Sequence, residues 1–114
     1  MDIIPREAGY LIGDSRKIVR EFPQEARQRA GRQLARVQDG LEANDWKPMP
    51  SAGLGVKEIR IHARGEYRVI YIARFAESIY VFHAFPKKAQ RTPQREIDVA
   101  RARFRALIDQ RKRT

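Results

Sequence analysis

Residues 65–92 contain two consecutive segments of strand-forming residues, and this pair restricts the chain to folds built around a β-hairpin. Residues 67–75 and 79–85 are rich in β-branched and aromatic side chains, and the polar residues 76–78 connect them. Both segments have apolar residues at odd and at even positions, which is typical of strands covered on both faces. We therefore expect this hairpin in the middle of a sheet.

Charged residues inside this apolar hairpin are the first indication of a functional site. Arg68 lies within the first segment, and His83, Lys87 and Lys88 lie at or after the end of the second. A charge on a central strand costs free energy unless it has a partner or a task. We therefore expect the functional site at this hairpin.

The remaining segments predict a single α+β domain over residues 1–114. Residues 9–13 read as a short strand, and residues 16–22 as a helix capped by Asp14 or Ser15. Pro23 fits the first position of a second helix that ends near Asp39, because apolar residues recur there at helical spacing. Residues 56–63 form a further strand, with Glu58, Arg60 and His62 on one face.

The C-terminal segment predicts one more helix. Thr92 is placed to cap it, with Pro93 in its first turn and Glu96 near the capping-box position. The tail, residues 111–114, is expected to be disordered. The predicted order is β-α-α-β-β-β-α, with the helices packed on one side of a mainly antiparallel sheet.

Residues 44–55 contain several glycines and prolines and no periodicity, which predicts a loop. Trp46, the only tryptophan, lies in this segment. It could stack against a base, or it could anchor the loop to the core, and burial statistics favour the anchor.

The charge of the chain favours a polyanionic partner. The net charge is +10, and from Pro86 onward ten lysines and arginines stand against three acids, a net +7. Neutralising phosphates with such a segment releases counterions and favours binding. A solvated basic helix is the alternative interpretation. There is no cysteine, no signal peptide and no apolar run of about 18 residues, so we expect a cytoplasmic protein without membrane contact.

Several enzyme classes lack their characteristic residues here. The glycines at 53–55 precede a strand rather than a helix, so they do not form a phosphate-binding loop. His62 and His83 are the only histidines and have no acidic partner at ligand spacing, so we predict no metal site and no cofactor. No serine nucleophile motif is present.

The cations that remain suit phosphodiester chemistry on RNA. Cleavage requires proton transfer and stabilisation of the phosphate charge. Arginine offers a planar fork to phosphate oxygens, which suits Arg60 and Arg68, and histidine can carry the proton, which suits His83. Two structural alternatives remain: the arginines could pair with Glu58 and Glu66, and His83 could bond to a backbone carbonyl. The catalytic candidates are Arg60, Arg68, His83 and Lys87, and the RNA-binding candidates are Lys57, Lys88 and Arg91.

The same segments resemble a known family. The motif W-x-P-M, then G-V-K-E-I-R, E-Y-R-V-I-Y and I-Y-V-F-H-A-F-x-K-K-x-x-x-T-P-x-x-E-I, is similar to the phage-type HigB toxins of the RelE superfamily. The resemblance covers nearly the whole chain and is most specific at residues 83–88 with Thr92 and Pro93. It implies a RelE-like fold and a toxin that cleaves mRNA, typically in the ribosomal A site. It also implies a small helix-turn-helix antitoxin, HigA-like, from the same operon.

The resemblance also implies roles for individual residues. Arg68 falls where RelE-like toxins place an arginine at the scissile phosphate, and Lys87 and Lys88 occupy a segment that carries active-site residues. The chain departs from RelE itself in having no tyrosine after Lys88. The first functional hypothesis is therefore a metal-independent endoribonuclease toxin. The alternative is a non-catalytic module that binds nucleic acid or the ribosome through its basic C-terminal helix.

Overall fold

The computed structural model describes residues 10–75 and 78–113, which form three helices and one five-stranded sheet. The elements in chain order are β1 (Tyr10–Leu11), α1 (Ser15–Glu21), α2 (Gln24–Gln38), β2 (Trp46–Pro48), β3 (Lys57–His62), β4 (Glu66–Ile72), β5 (Tyr80–Pro86) and α3 (Gln94–Arg113). The α+β class and the predicted order of the long elements are confirmed. Predicted features at residues 1–9, 76, 77 and 114 lie outside the described residues.

The hairpin of β4 and β5 lies inside the sheet, as predicted. The strand order is β1-β5-β4-β3-β2, and β4 is at the centre between two antiparallel neighbours. The short strand β1 pairs with β5 in parallel, which makes the sheet mostly rather than wholly antiparallel. Because β4 and β5 both have neighbours, their backbone groups are satisfied on both sides.

The sheet has an apolar core on each face, so the expectation that all helices pack on one side was wrong. Val19, Ala30 and Leu34 of the first two helices pack against one face. Ala100 and Leu107 of α3 pack against the other, with Ile70 and Phe82 of the sheet. Strands that are apolar at both odd and even positions need a cover on both faces, and three helices provide it.

The predicted loop at residues 44–55 contains the edge strand β2. Trp46 pairs with Ile59 of β3, and the Met49 N–H continues the contact by donating to the Val56 carbonyl at 2.8 Å. The Trp46 ring is partly buried against the core on the side of α1 and α2, with Lys57 Nζ 4.4 Å from the ring centroid. These contacts favour the anchor interpretation over a base-stacking role.

The side chains predicted to cap helices make tertiary contacts instead. Asp14 precedes α1 but makes no side-chain capping bond, because its Oδ1 accepts from Arg103 Nη2 at 2.9 Å. Thr92 Oγ1 donates to Glu58 Oε2 at 3.0 Å. Pro23 is the N-cap of α2, one position before the predicted one. Capping residues are short and polar, so they also suit bonds across the fold.

Helix α3 continues through the predicted disordered tail as far as Arg113. The guanidinium of Arg111 lies 3.8 Å from the centroid of the Phe75 ring, next to the sheet. A cation over an aromatic face stabilises such an end by about 0.5–1 kcal/mol where it is exposed. This contact between distant parts of the chain favours the longer helix.

The Arg103 side chain holds α3 to the start of the chain and yields a stability prediction. Its Nη1 donates to the Phe82 carbonyl at 2.8 Å, and a Cβ at Gly13, where φ is +61°, would lie 2.5 Å from its Cζ. We expect Gly13→Ala to lower the free energy of unfolding by about 1–2 kcal/mol through backbone strain. The new Cβ would also displace the Arg103 side chain, which should lower the free energy of unfolding by about 1–3 kcal/mol more, because the hydrogen bonds of Arg103 are charge-assisted.

Gly40→Ala is the matched control for this variant. Gly40 also has a positive φ, +85°, but no described atom lies within 4 Å of its added Cβ. Urea unfolding of both variants separates the backbone strain from the lost Arg103 contacts. Equal losses of stability in the two variants would show that Arg103 moves aside without cost.

Candidate active site

Two arginines stand directly opposite each other on the face of the sheet that α3 partly covers. Arg60 of β3 and Arg68 of β4 are cross-strand partners, so their side chains leave the sheet on the same face. Ile70 and Ile72, which alternate with Arg68 along β4, belong to the core beneath α3. Like charges placed directly opposite are destabilising. This pair therefore requires neighbouring acids or a bound anion.

Acids hold both arginines, as the structural alternative predicted in part. Arg68 Nη1 donates to Glu66 Oε1 at 3.0 Å, and its Nε lies 3.9 Å from Glu58 Oε1. Arg60 Nη1 lies 3.8 Å from Asp45 Oδ1, a partner that the sequence did not suggest. The buried Nε atoms of both arginines have no hydrogen-bond partner among residues 10–75 and 78–113. The two arginines therefore each have an N–H donor that no described residue uses.

Glu58 is the carboxylate at the centre of the cluster, and sequence reasoning considered it only as an ion-pair partner. Its side chain is 0% exposed, and Lys47 Nζ lies 3.7 Å from its Oε1. Thr92 donates to Oε2, whereas Oε1 accepts no hydrogen bond within the described part of the chain. Oε1 is therefore an acceptor with unused capacity at the centre of the cluster. The sequence signal was an acid inside an apolar strand.

A cleft of about 340 Å³ lies between residues 47–51 and residues 87–92, and it is lined by Lys47 and Thr92, the partners of Glu58. Lys47, Lys87 and Arg91 contribute three cations to its lining, and Thr92 lies beside them. Partial burial, followed by the positive charge of Arg68, lowers the pKa of Lys87 from its ordinary value. A lysine with a lowered pKa can give up its proton more readily.

His83 does not lie in the cleft. It is 6% exposed, its Nε2 lies 2.8 Å from Glu96 Oε1 on α3, and its ring stacks on Phe85. Its cross-strand partner is Ile70, which faces α3, so His83 leaves the sheet on that face and is bound there by Glu96. The alternative of a backbone carbonyl partner was wrong, because the partner of Nε2 is a carboxylate and Nδ1 has no partner within the described residues.

Lys57 is likewise separate from the cluster. It precedes Glu58 on β3, so the strand pleat directs it to the opposite face, where it lies over Trp46 and 3.3 Å from Glu42. Among the predicted site residues, the structure brings together Arg60, Arg68, Lys87 and Arg91. Lys88 is exposed on the segment that borders the cleft.

The basic C-terminal helix offers fewer free cations than its sequence suggests. Arg103 is bound to Asp14 and to the Phe82 carbonyl, and Arg101 Nε donates to the Ser51 carbonyl at 2.9 Å. These two arginines hold α3 in place. The alternative of a binding module that acts through this helix is weakened accordingly.

His62 links the two acids that hold the arginines. Its Nε2 lies 2.6 Å from Asp45 Oδ2 and its Nδ1 lies 2.7 Å from Glu66 Oε2. Ionised carboxylates only accept, so both contacts are hydrogen bonds only when the imidazole carries two protons. The bond to Asp45, and then the bond to Glu66, raise the pKa of His62, whereas burial lowers it to a smaller extent. Arg60 and Arg68 are the cations that face this group across the shared acids.

The raised pKa of His62 predicts a pH-dependent contribution to stability. A raised folded-state pKa stabilises fully below the unfolded value of about 6.5, and the contribution disappears as the pH rises through the folded value. We expect His62→Gln to be less stable than the wild type at low pH by about 1 kcal/mol or less, because exposed pairs are screened. Urea unfolding across the pH range measures this. A difference between the two proteins that does not shrink on the alkaline side would contradict it.

A family model described as Phage derived protein Gp49-like (DUF891) matches residues 17–105, a segment that contains every residue that lines the cleft. No match was found among curated proteins. Within the described ranges, no helix has the length and apolarity to cross a bilayer, and no three His, Asp or Glu side chains are grouped to hold a metal ion.

Proposed function

Because this chain belongs to the Gp49-like family of phage-derived proteins, RelE/toxin-like proteins of toxin–antitoxin systems, we propose that it is a HigB-like toxin that cleaves mRNA. The observation that carries the proposal is the pair of opposed arginines, Arg60 and Arg68, next to a buried carboxylate whose other partners line a cationic cleft. A phosphodiester between the two arginines relieves their mutual repulsion. A phosphodiester bound there would have its phosphorus and the neighbouring ribose oxygens beside Glu58 and Lys87.

In the proposed reaction, the ribose 2′-oxygen attacks the adjacent phosphorus. Glu58 accepts the proton of the 2′-hydroxyl, and Arg68 and Arg60 hold the non-bridging oxygens as charge develops on them. The bond from phosphorus to the 5′-oxygen breaks, and Lys87 gives its proton to that oxygen. The products are a 2′,3′-cyclic phosphate and a 5′-hydroxyl end. Side-chain cations neutralise the phosphate charge in this scheme, which therefore needs no metal ion.

The assignment of Glu58 as the base replaces the prediction that His83 carries the proton. Glu58 is covered by Lys47, a side chain that is 42% exposed and free to turn towards solvent. An incoming phosphate attracts Lys47 and exposes Glu58 Oε1. His83 is bound to Glu96 under α3, and its role is to hold that helix against the sheet.

The proposed partners follow from the family and from the charge. A toxin-like protein implies an antitoxin, and we propose a helix-turn-helix protein of the HigA type encoded beside it. The net charge of +10 favours binding to ribosomal RNA and mRNA, so the proposed place of action is the ribosome in the cytoplasm.

Toeprinting of a defined mRNA on purified ribosomes tests the proposal. We expect a new 5′ end within the mRNA when the protein is added, and growth arrest when it is expressed in bacteria. The same mRNA without ribosomes shows whether cleavage depends on them. Salt-sensitive binding to the ribosome with no new end in either reaction would refute the nuclease and support the non-catalytic module.

A further inference from the structure

The cleft has two kinds of lining, and only one of them is explained by phosphate binding. Lys47, Lys87 and Arg91 are cationic, whereas Pro48, Met49 and Ile97 are apolar. A volume of about 340 Å³ lies at the lower end of the ~300–1,000 Å³ typical of small-molecule sites. A site for a phosphate alone needs no apolar wall, whereas a nucleotide presents a charged group and a flat apolar base together.

The apolar wall is held in position by bonds to both sides of the fold. The Met49 N–H donates to the Val56 carbonyl, and the Met49 side chain belongs to the core beneath α3. The Ser51 carbonyl accepts from Arg101 on α3, so the segment is attached to the helix as well as to the sheet. A wall fixed in this way requires little ordering when a ligand binds.

The cleft is continuous with the proposed catalytic group. Lys47 and Thr92 both line it, and both contact the Glu58 carboxylate. The ligand in the cleft is therefore adjacent to a phosphate held at Arg68. Gln90 also lines the cleft, and its amide has both a donor and an acceptor. Such an amide can read the hydrogen-bonding edge of an unpaired base.

From these observations we propose that the cleft binds the nucleobase next to the scissile phosphate and that Gln90 is its specificity-determining residue. The inference rests on the proposed function, because it places RNA at the same site. The wall of Pro48, Met49 and Ile97 receives the face of the base, and Gln90 contacts its edge. An acidic peptide of an antitoxin would use the cations but would present no flat base to the apolar wall.

Binding of ribonucleoside 3′-monophosphates, followed by NMR, tests the subsite without requiring catalysis. Met49 is one of two methionines in the chain, the other being Met1, so its labelled methyl group is a clear probe. We expect each of the four nucleotides, but not inorganic phosphate, to shift the Met49 methyl signal. We also expect Gln90→Leu to change the order of their affinities. Gln28→Leu, exposed on α2, is the control and should leave that order unchanged.

Sequencing of the 5′ ends produced on mRNA is the second measurement. We expect Gln90→Leu to change the base preference at the cut by at least about fivefold, the lower end of what one amide–base contact discriminates. An unchanged preference together with a Met49 signal that nucleotides do not shift would overturn the subsite, even if the wild type cleaves. If the wild type cuts no RNA but nucleotides still shift Met49, the nuclease fails and the subsite stands. A Met49 signal that responds only to an acidic peptide would assign the cleft to a protein partner.

Discussion

Arg68→Lys is expected to lower the rate of mRNA cleavage by about 10²–10³-fold, the usual effect of losing one donor to a developing charge. Lysine keeps the positive charge but loses the planar fork that can hold two phosphate oxygens. It also keeps a cation beside Glu58 and Glu66, which hold Arg68 in the fold. Alanine would leave the buried Glu58 without this partner, at a cost of about 3–5 kcal/mol, so lysine is the more informative substitution.

The matched control for this variant is Arg29→Lys. Arg29 is about half exposed on α2, where it pairs with Glu25, so we expect an unchanged rate. Cleavage is measured by toeprinting over time, and folding by urea unfolding of the same samples. If folded Arg68→Lys cleaved as fast as the control, the planar fork of Arg68 would have no role at the phosphate.

Glu58→Gln is expected to lower the cleavage rate by about 10²–10⁴-fold, which is the contribution of one positioned acid or base. Glutamine preserves the shape of the side chain and can still accept the hydrogen bond from Thr92. It cannot accept the proton of the 2′-hydroxyl. Most of the activity should therefore be lost.

Glu25→Gln on the surface of α2 serves as the control, because Glu25 is about half exposed and far from the sheet face that holds the arginines. Unfolding measurements on Glu58→Gln show how much stability depends on neutralising Lys47 and Arg68. A folded Glu58→Gln variant that cleaved mRNA as fast as the Glu25→Gln control would show that another group takes the proton.

Periodicity in the sequence was sufficient to predict the long elements of this fold. The apolar stripe of α2 and the dense apolar runs of β4 and β5 are local signals that tertiary contacts did not override. Strand β2 has only three residues, one of them a proline, and it exists because it pairs with β3. Which helix covers which face also depends on contacts between distant residues, so it could not be predicted locally.

The candidate site was predictable to the extent that it follows the pleat of one strand. Alternation along β3 placed Glu58 and Arg60 on one face, and composition pointed to Arg68. That the two arginines lie opposite each other could be known only from the register of β3 and β4. That Lys47 contacts Glu58 could be known only from the pairing of β2 with β3. The contact between His83 and Glu96 could not be predicted locally, because it joins β5 to α3.

The shortness of β2 also restricts how another protein can block this one. Trp46–Pro48 is the outer strand beside β3, and its last residue has no N–H to donate. A strand of another protein that paired with the free edge of β2 could form only a few backbone hydrogen bonds, too few for tight association. An inhibitor that approaches from that side is therefore expected to gain its affinity by inserting side chains into the cleft rather than by adding a strand to the sheet.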